Sequence, residues 1–367
     1  MKAVRLLIFL AVLFSFGLVA AVSTETIAIG PYVQNVTGTS AKVIWWTESG
    51  QQAPVCFRDP LSKYTKHELL LTDLESNTEY YYDVLDDGSP ESVGTVTTFP
   101  DTPAPFRFAV ISDTQSDQEV HAALIDMIID EDPLLLLGAG DAVSEGLSLS
   151  DWETFFDVRR ELQRHVPFYG VLGNHEHDSR LYFDFFDLPG NERYYSFAVG
   201  DVLFVMLDSE GLVPFDLPLE EKTDPTFLFY FAQQKAWLKH TLETNADKSF
   251  IFAAFHKPLY SVNPDRQVTT LSNRLRWGDV FERYGVQVVF SGHDHHYHHA
   301  YTNGTHYVVC GGGGGHLYEN TAIQPETVLT EKVHHYITVD VEEDTATLTA
   351  TDIDGAVIES FTVEARH

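Results

Sequence analysis

Two hydrophobic patterns divide the chain into an N-terminal and a C-terminal part. From residue 27 to residue 99, short apolar or alternating runs are separated by turn residues such as Asp87-Gly88, without helical periodicity. About seven short strands of this kind predict an all-β sandwich. From residue 106 onward, fully apolar runs alternate with helical stripes such as that of Val120 and Leu124. This alternation predicts an α/β fold around a largely parallel, buried sheet.

A proline-rich segment, Pro100–Pro105, separates the two patterns and is typical of a linker. We therefore assign residues 22–100 to the β-sandwich and residues 101–367 to the α/β domain.

The first 21 residues have the pattern of a secretory signal peptide. Lys2 and Arg5 form a basic start, and the apolar run Leu6–Val19 is short for a membrane span. Small residues predict cleavage near Ala21, and an uncleaved anchor is the alternative. We expect a secreted or cell-surface protein. No second long apolar stretch follows, which predicts no membrane span in the mature chain.

Charge narrows the classes of partner. The formal net charge is −31, which argues against nucleic acid or an anionic membrane, because both require a basic surface. A phosphate-binding site in such a chain must be made locally positive by metal ions. The two cysteines, Cys56 and Cys310, lie in strand-like runs of different predicted domains. Two buried thiols are the first interpretation, and a disulfide remains open because export permits one.

Three predicted strands of the C-terminal part end in candidate ligands. Apolar runs stop at Ser112-Asp113-Thr114-Gln115, at Gly140-Asp141 and at Gly173-Asn174-His175-Glu176. Each of Asp113, Asp141 and Asn174, taken alone, is typical of a turn or a helix cap. Because the carboxyl ends of parallel strands meet at one edge of a sheet, the three together predict a ligand site.

Histidines extend this site. His256 follows the buried run Phe250–Phe255, and Ser291–His299 contains five histidines after another buried run. His293 and His295 are two residues apart, so an extended backbone points both rings the same way. Paired imidazoles suit Zn, Mn, Fe or Co, and a solvated polar loop is the alternative. The nearby glycines Gly311–Gly315 permit close backbone approach to a site, or form only a flexible loop.

The order of these motifs resembles that of the calcineurin-like metallophosphoesterases. The segment Gly30–Thr37 is similar to the leading domain of purple acid phosphatases, and Leu74–Tyr82 resembles the corner of a fibronectin type III module. The resemblance covers nearly the whole mature chain. It implies an α/β/β/α sandwich as the catalytic domain, preceded by an all-β, fibronectin III-like sandwich.

By this resemblance, two divalent metal ions (Mn, Zn or Fe) are held by six side chains: Asp113, Asp141, Asn174, His256, His293 and His295. Asp141 would bridge the two ions. Asp113 and His295 would complete one site, and the other three side chains would complete the second. Two such ions clamp a phosphoryl group and lower the pKa of a bridging water, so that hydroxide forms near neutral pH.

Other residues have implied supporting roles. His175 is the histidine that binds no metal and would donate a proton to the leaving oxygen or hold the phosphate. Glu176, or a nearby carboxylate, would orient His175, and Tyr297 would stand close behind the ligands.

The chain departs from the family at two positions. Ser144 occupies the position of the tyrosine ligand of purple enzymes, and Gln115 that of a histidine in the phosphodiesterase branch. Without the phenolate we expect a colourless protein with divalent ions. Gln115 is a candidate for an extra ligand through its amide oxygen.

The expected function is that of an exported dinuclear metallohydrolase acting on small phosphoesters, most of all phosphomonoesters. The alternatives are a phosphodiesterase of the same superfamily and a surface binding protein with a vestigial metal site. Retention of all six ligand positions favours the enzyme. The oligomeric state is not predicted.

Overall fold

The structure is a computed structural model that describes residues 26–48, 60–211 and 225–366. The predicted signal peptide and Cys56 lie outside these residues, so cleavage stays a prediction and the choice between two thiols and a disulfide stays open. Cys310 is buried and has no disulfide partner among the described residues.

The N-terminal part contains two antiparallel sheets. Within the described residues, three strands form one sheet and two form the other. They are β1 (Ile27–Gln34), β2 (Ala41–Glu48), β3 (Tyr64–Leu71), β4 (Glu79–Asp83) and β5 (Val93–Thr97). Buried side chains of both sheets, including Val33, Trp46 and Val96, join one hydrophobic cluster. The predicted β-rich N-terminal part is confirmed, and its likeness to a fibronectin type III module stays a prediction.

The C-terminal part is built on two larger sheets, each with parallel and antiparallel pairs, and not on the one largely parallel sheet that the alternation of strands and helices predicts. The six-stranded sheet has the order β18-β17-β16-β6-β7-β8, and the seven-stranded sheet has the order β15-β13-β14-β12-β11-β10-β9. The strands are β6 (Phe106–Ile111), β7 (Leu135–Gly138), β8 (Phe168–Gly170), β9 (Tyr195–Val199), β10 (Val202–Met206), β11 (Phe250–Ala254), β12 (Val288–Ser291), β13 (Tyr297–Thr302), β14 (Thr305–Cys310), β15 (Thr327–Glu331), β16 (His335–Val341), β17 (Thr345–Asp352) and β18 (Val357–Glu364).

Helices cover the outer faces of these sheets. They are α1 (Gln118–Asp130), α2 (Leu149–Val158), α3 (Arg160–Gln163), α4 (Arg180–Phe185), α5 (Pro225–Thr244), α6 (Gln267–Asn273) and α7 (Asp279–Tyr284). The side chain of Asp117 caps α1 by accepting the backbone N–H groups of Glu119 and Val120. No helix within the described ranges is long and apolar enough to cross a membrane.

Aromatic side chains fill the space between the two sheets. Phe108 of the six-stranded sheet contacts Phe204, Phe252 and Phe290 of the seven-stranded sheet, with ring centroids 5.1, 5.3 and 6.2 Å away. A second apolar cluster lies on the outer face of the seven-stranded sheet, where α5 and α7 pack. The predicted α/β/β/α layering is confirmed, and alternate residues of a strand serve the two clusters.

The N-terminal sheets pack directly against the α/β layers. The hydroxyl of Tyr32 donates to the carbonyl of Phe185 at 2.7 Å, and that of Tyr82 donates to the carbonyl of Arg164 at 2.8 Å. The hydrophobic cluster of the N-terminal strands also continues into that of β6, β7 and α2. Removing the first hundred residues would therefore expose apolar surface as well as break these bonds.

Candidate metal centre

Turns that follow five strands bring the six predicted ligands to one edge of the molecule. β6, β7 and β8 are parallel neighbours, and Asp113, Asp141 and Asn174 follow them. In the other sheet β11 and β12 are parallel neighbours, and His256 and the pair His293 and His295 follow them. The two sheets thus each supply three of the six residues.

The ligand atoms form two groups that share one carboxylate. Asp141, His256 and His293 each offer an atom within 4.8 Å of the others, and so do Asp113, Asp141 and His295. All five residues are buried. The amide oxygen of Asn174 lies 3.2 Å from Nε2 of His256 and extends the first group. Two groups of potential ligand atoms therefore share Asp141, and they divide the residues in the way that the family resemblance implies.

Backbone carbonyls fix the orientation of two imidazoles. Nδ1 of His256 donates to the carbonyl of Ala139 at 2.9 Å, and Nδ1 of His295 donates to the carbonyl of His316 at 2.8 Å. Each bond leaves the Nε2 atom directed at the ligand group. Nε2 of His256 lies 3.0 Å from Oδ2 of Asp141, and Nε2 of His295 lies 3.3 Å from Oδ1 of Asp113. Such outer bonds are typical of metal-binding histidines, because they set the tautomer and the ring orientation. The donor set therefore fits two divalent ions of the Mn, Zn or Fe type.

Three of the ligands lie on strained backbone. Asp113, Asp141 and His293 have φ angles of +57°, +50° and +70°, in the left-handed region that side-chain-bearing residues rarely adopt. Each such residue costs roughly 1 kcal/mol or more, and strain of this kind is concentrated at functional sites. The sharp turns direct carboxylate and imidazole atoms back over the strand ends.

Glycines allow two backbones to approach the imidazoles closely. A Cβ atom on Gly140 would lie 2.6 Å from Nδ1 of His256, and one on Gly315 would lie 2.5 Å from the His295 ring. The N–H group of Gly315 also donates to the carbonyl of Asp113 at 2.9 Å. Of the two alternatives for the glycine run, the structure therefore supports close approach to the site.

Asp141 and His256 form a buried ion pair. Burial opposes ionisation of Asp141, yet the imidazoles of His256 and His175 lower its pKa to about 2. Burial likewise opposes protonation of His256, but the Asp141 charge raises the pKa of that ring to about 10. A cation that binds both residues must displace the proton from Nε2 of His256.

Metal affinity should consequently rise with pH. The raised pKa of His256, about 10, means that the ring carries a proton at neutral pH and loses it when a metal ion binds. The affinity for the metal ion should therefore rise about tenfold per pH unit for each proton released. Calorimetric titration of the stripped protein with Mn²⁺, in buffers of different ionisation enthalpy, should detect release of at least about one proton per protein. Affinity that does not change with pH would mean that His256 is neutral before the ion arrives.

His175 lies beside this pair with its ring partly open to solvent. Its backbone N–H group donates to Oδ1 of Asp141 at 2.8 Å, and its Nδ1 donates to the carbonyl of Ser144 at 2.7 Å. Nε2 lies 4.0 Å from Oδ2 of Asp141, and 39% of the side chain is exposed. The ring is therefore held by one nitrogen and presents the other at the mouth of the site.

Glu176 has a different role from the one predicted. Its carboxylate accepts the backbone N–H groups of Asp141, Ala142 and Gly173, at 3.0, 2.8 and 2.6 Å, and His175 is oriented instead by the Ser144 carbonyl. The fully buried carboxylate thereby ties the turn after β7 to the turn after β8. The adjacent sequence position suggested a contact with His175, but the turn at 174–176 directs the two side chains apart.

Tyr297 does not stand behind the ligands as predicted. Its hydroxyl donates to Oε2 of Glu359 at 2.7 Å, and its ring packs against His335. Strand alternation explains the difference, because Tyr297 begins β13 after the ligand turn and its hydroxyl reaches toward β18.

Ser144 and Gln115, the two departures from the family pattern, have different surroundings in the structure. Oγ of Ser144 accepts the backbone N–H of Ser116 at 3.0 Å. Gln115 lies beside His295, with Nε2 3.3 Å from the imidazole Nε2. Its Oε1 is buried and has no hydrogen-bond partner in the part of the chain that the structure describes. An unpaired buried amide oxygen next to a ligand group is consistent with the extra ligand role predicted for Gln115.

Two further side chains adjoin the site and were not predicted. The ring of Tyr318 stacks on His295, with centroids 4.3 Å apart and planes inclined by 12°. Arg266 lies 3.6 Å from Asp294, the residue between the two candidate histidine ligands. Neither residue directly follows a buried strand. The sequence analysis took its candidate ligands from such positions, and it therefore did not indicate these two residues.

The comparisons with known proteins agree with this geometry. The family model for calcineurin-like phosphoesterase matches residues 106–297, more than half of the chain. An uncharacterized protein of Mycobacterium tuberculosis is 24% identical over 318 residues, which cover 70% of this chain and 59% of that protein. Purple acid phosphatase 23 of Arabidopsis thaliana is 26% identical over 293 residues, 65% of this chain and 59% of that protein. The chain thus spans 59% of the length of these curated relatives.

Solved structures support the fold. Purple acid phosphatase PPD1 from yellow lupin (Lupinus luteus) seeds aligns with a TM-score of 0.70 at 18% identity, over 91% of this chain and 74% of that one. The structure of PhoD aligns with a TM-score of 0.66 at 15% identity, over 94% and 91% of the two chains. Because the family model matches more than half of the chain and includes the turns that carry all six candidate ligands, the chain belongs to the calcineurin-like phosphoesterase family.

Proposed function

We propose that this protein is an exported, dinuclear metal-dependent phosphoesterase that hydrolyses small phosphomonoesters. The observation that carries the proposal is the shared position of Asp141 in two groups of buried ligand atoms, with His175 at the mouth. When bound, two divalent ions would supply charge for a phosphoryl group and acidify an attacking water.

The side chains of the protein would orient these partners. Asp113 is held by the N–H of His293, 3.0 Å from both its oxygens, and by the hydroxyl of Ser112 at 2.6 Å. His175, fixed through Nδ1, would carry a proton on Nε2 and transfer it to the departing oxygen. Protonation of the leaving group matters most for alkyl esters, whose alkoxides are poor leaving groups.

Export is part of the proposal because the N-terminal pattern of residues 1–21 is that of a signal peptide. Expression of the full chain, followed by N-terminal sequencing of the secreted product, should give a start near Val22. A product that retains Met1 and stays with the membrane would support the uncleaved anchor.

Hydrolysis should depend on added metal and favour monoesters. The chelator-stripped protein is reconstituted separately with Mn²⁺, Zn²⁺ and Fe²⁺ and offered matched p-nitrophenyl monoesters and diesters. We expect no turnover in the stripped sample, recovery with at least one ion, and a higher kcat/KM for the monoester. A higher kcat/KM for the diester would favour the phosphodiesterase alternative, and failure with every ion and ester would favour a binding protein.

A further inference from the structure

A short turn brings a cationic side chain to the loop that carries two candidate ligands. Nε of Arg266, at the end of the turn Pro264–Arg266, lies 3.6 Å from Oδ1 of Asp294. Asp294 is buried, and among the described residues this oxygen has no hydrogen-bond partner. Because 3.6 Å exceeds hydrogen-bond distance, the carboxylate attracts the guanidinium without occupying its N–H groups.

Tyr318 links this guanidinium to the candidate metal ligands. Its ring stacks on His295, and its hydroxyl lies within the electrostatic reach of the Arg266 guanidinium and of the Asp113 carboxylate. The backbone N–H of Tyr318 donates to the carbonyl of His295 at 3.0 Å, which fixes the stacked pair. Arg266, Tyr318 and His295 therefore form a continuous layer that ends at the ligand group.

Negative charge surrounds the site, so a cationic side chain in this layer matters for the binding of an anionic ligand. The chain as a whole carries −31, and the bridging and terminal carboxylates add negative charge at the site itself. Lys257, which follows His256, is ion-paired with Glu210. Arg266 is 31% exposed in its side chain, so a ligand can reach it from solvent.

Arg266 and His175 approach the ligand group from different elements. His175 belongs to the turn after β8, whereas Arg266 belongs to the segment between β11 and α6 and contacts the loop after β12. A phosphoester held at the ligand group would thus have His175 on the six-stranded-sheet side and the guanidinium on the seven-stranded-sheet side. A planar guanidinium is suited to phosphate oxygens, because its N–H groups match their spacing.

We propose that Arg266, aligned by Tyr318 and Asp294, binds a non-bridging oxygen of the substrate phosphoryl group and so selects dianionic monoesters over monoanionic diesters. This inference rests on the proposed function. A monoester offers an additional anionic oxygen to the guanidinium, and a diester has an esterified oxygen in its place. Arg266 is then a specificity residue, separate from the residues that hold metal.

The test compares Arg266→Gln with the wild-type protein and with Arg274→Gln. Arg274 caps the C-terminal end of α6 and packs over the Tyr260 ring, 4.8 Å from its centroid, so it is an arginine control on the neighbouring element. In Arg266→Gln, KM for p-nitrophenyl phosphate and the inhibition constant of inorganic phosphate should each rise about 10- to 100-fold, as expected for loss of a charged hydrogen bond. The kcat/KM for bis(p-nitrophenyl) phosphate should change less than about threefold. Arg274→Gln should leave all three quantities unchanged.

Two conservative variants guard against a folding defect. Arg266→Lys keeps the positive charge but loses the paired N–H groups of the planar guanidinium. Its KM should therefore lie between those of the wild type and Arg266→Gln. Tyr318→Phe removes the aligning hydroxyl and should raise the monoester KM by a smaller factor. If neither variant alters the monoester KM, the proposal is overturned. It is also overturned if kcat/KM falls by the same factor for the monoester and the diester in Arg266→Gln.

Failure of the proposed function would be distinguishable from failure of this inference. If the wild-type protein hydrolyses no ester with any metal, calorimetry of inorganic phosphate binding to the Mn²⁺-loaded wild type and Arg266→Gln decides the matter. Weaker binding by the variant, at equal metal content, supports the guanidinium as an anion-binding group. Equal binding overturns it.

Discussion

Replacing Asp141 by asparagine is expected to abolish hydrolysis and to lower the metal content of the protein. Asp141 alone belongs to both groups of ligand atoms, so the substitution removes one negative charge from both sites at once. Metal ions supply several kcal/mol of transition-state stabilisation, which corresponds to a loss of more than about 10³-fold in kcat. Metal analysis and kinetics on the same reconstituted sample measure both effects.

The fold should survive this substitution. Asparagine has the shape of aspartate and tolerates the left-handed φ of +50° at this position. Asp132→Asn is the matched control, because Asp132 is exposed and has the same φ of +50°. The control should retain full activity and metal. Wild-type turnover and metal content in Asp141→Asn would refute the bridging role.

Replacing His175 by alanine should lower kcat roughly 10²- to 10⁴-fold while both metal ions stay bound. The ring makes its hydrogen bond to the Ser144 carbonyl, and Nε2 remains 4.0 Å from the bridging carboxylate, outside the two groups of ligand atoms. The deficit should be smaller for p-nitrophenyl phosphate than for an alkyl phosphate, because nitrophenolate departs without a proton. Comparing the two substrates therefore separates proton transfer from phosphate binding.

His177→Ala provides the control for local disturbance. His177 lies two residues further along the same turn, and its ring is 3.4 Å from the carboxylate of Glu145. We expect this variant to keep near-normal kcat for both substrates. Loss of metal in His175→Ala would assign the ring to the ligands, and an equal deficit for both substrates would argue against proton donation.

The ligand set could be predicted because it follows from strand order. Apolar runs such as Phe250–Phe255 identify buried strands, and parallel strands have no alternative but to end at a common edge. This rule places Asp141 at one edge of the six-stranded sheet and His256 at one edge of the seven-stranded sheet, and the packing of the two sheets brings those edges together. The same hydrophobic patterns predicted one largely parallel sheet, whereas the α/β/β/α layering with its two sheets was implied by the family resemblance.

Contacts that depend on turn geometry could not be predicted in this way. Glu176 is adjacent to His175, but only the short helical turn at 174–176 shows that its carboxylate reaches the N–H groups of Asp141 and Gly173. Arg266 and Tyr318 come from segments without a periodic pattern. Their neighbours are set by how loops fold over the sheet edge, and hydrophobic patterning carries no information about that.

The division of ligands between two sheets has a consequence for the order of assembly. Residues up to Asn174 hold three of the donors, and the other three come only after residue 255. The six-stranded sheet is itself incomplete until β16, β17 and β18, the last strands made, pair beside β6. If the six side chains bind metal, a chain folded only as far as Asn174 would offer half of the donors and would hold a divalent ion weakly. Tight binding would then require the completed fold, so that metal content would report on molecules that have finished folding.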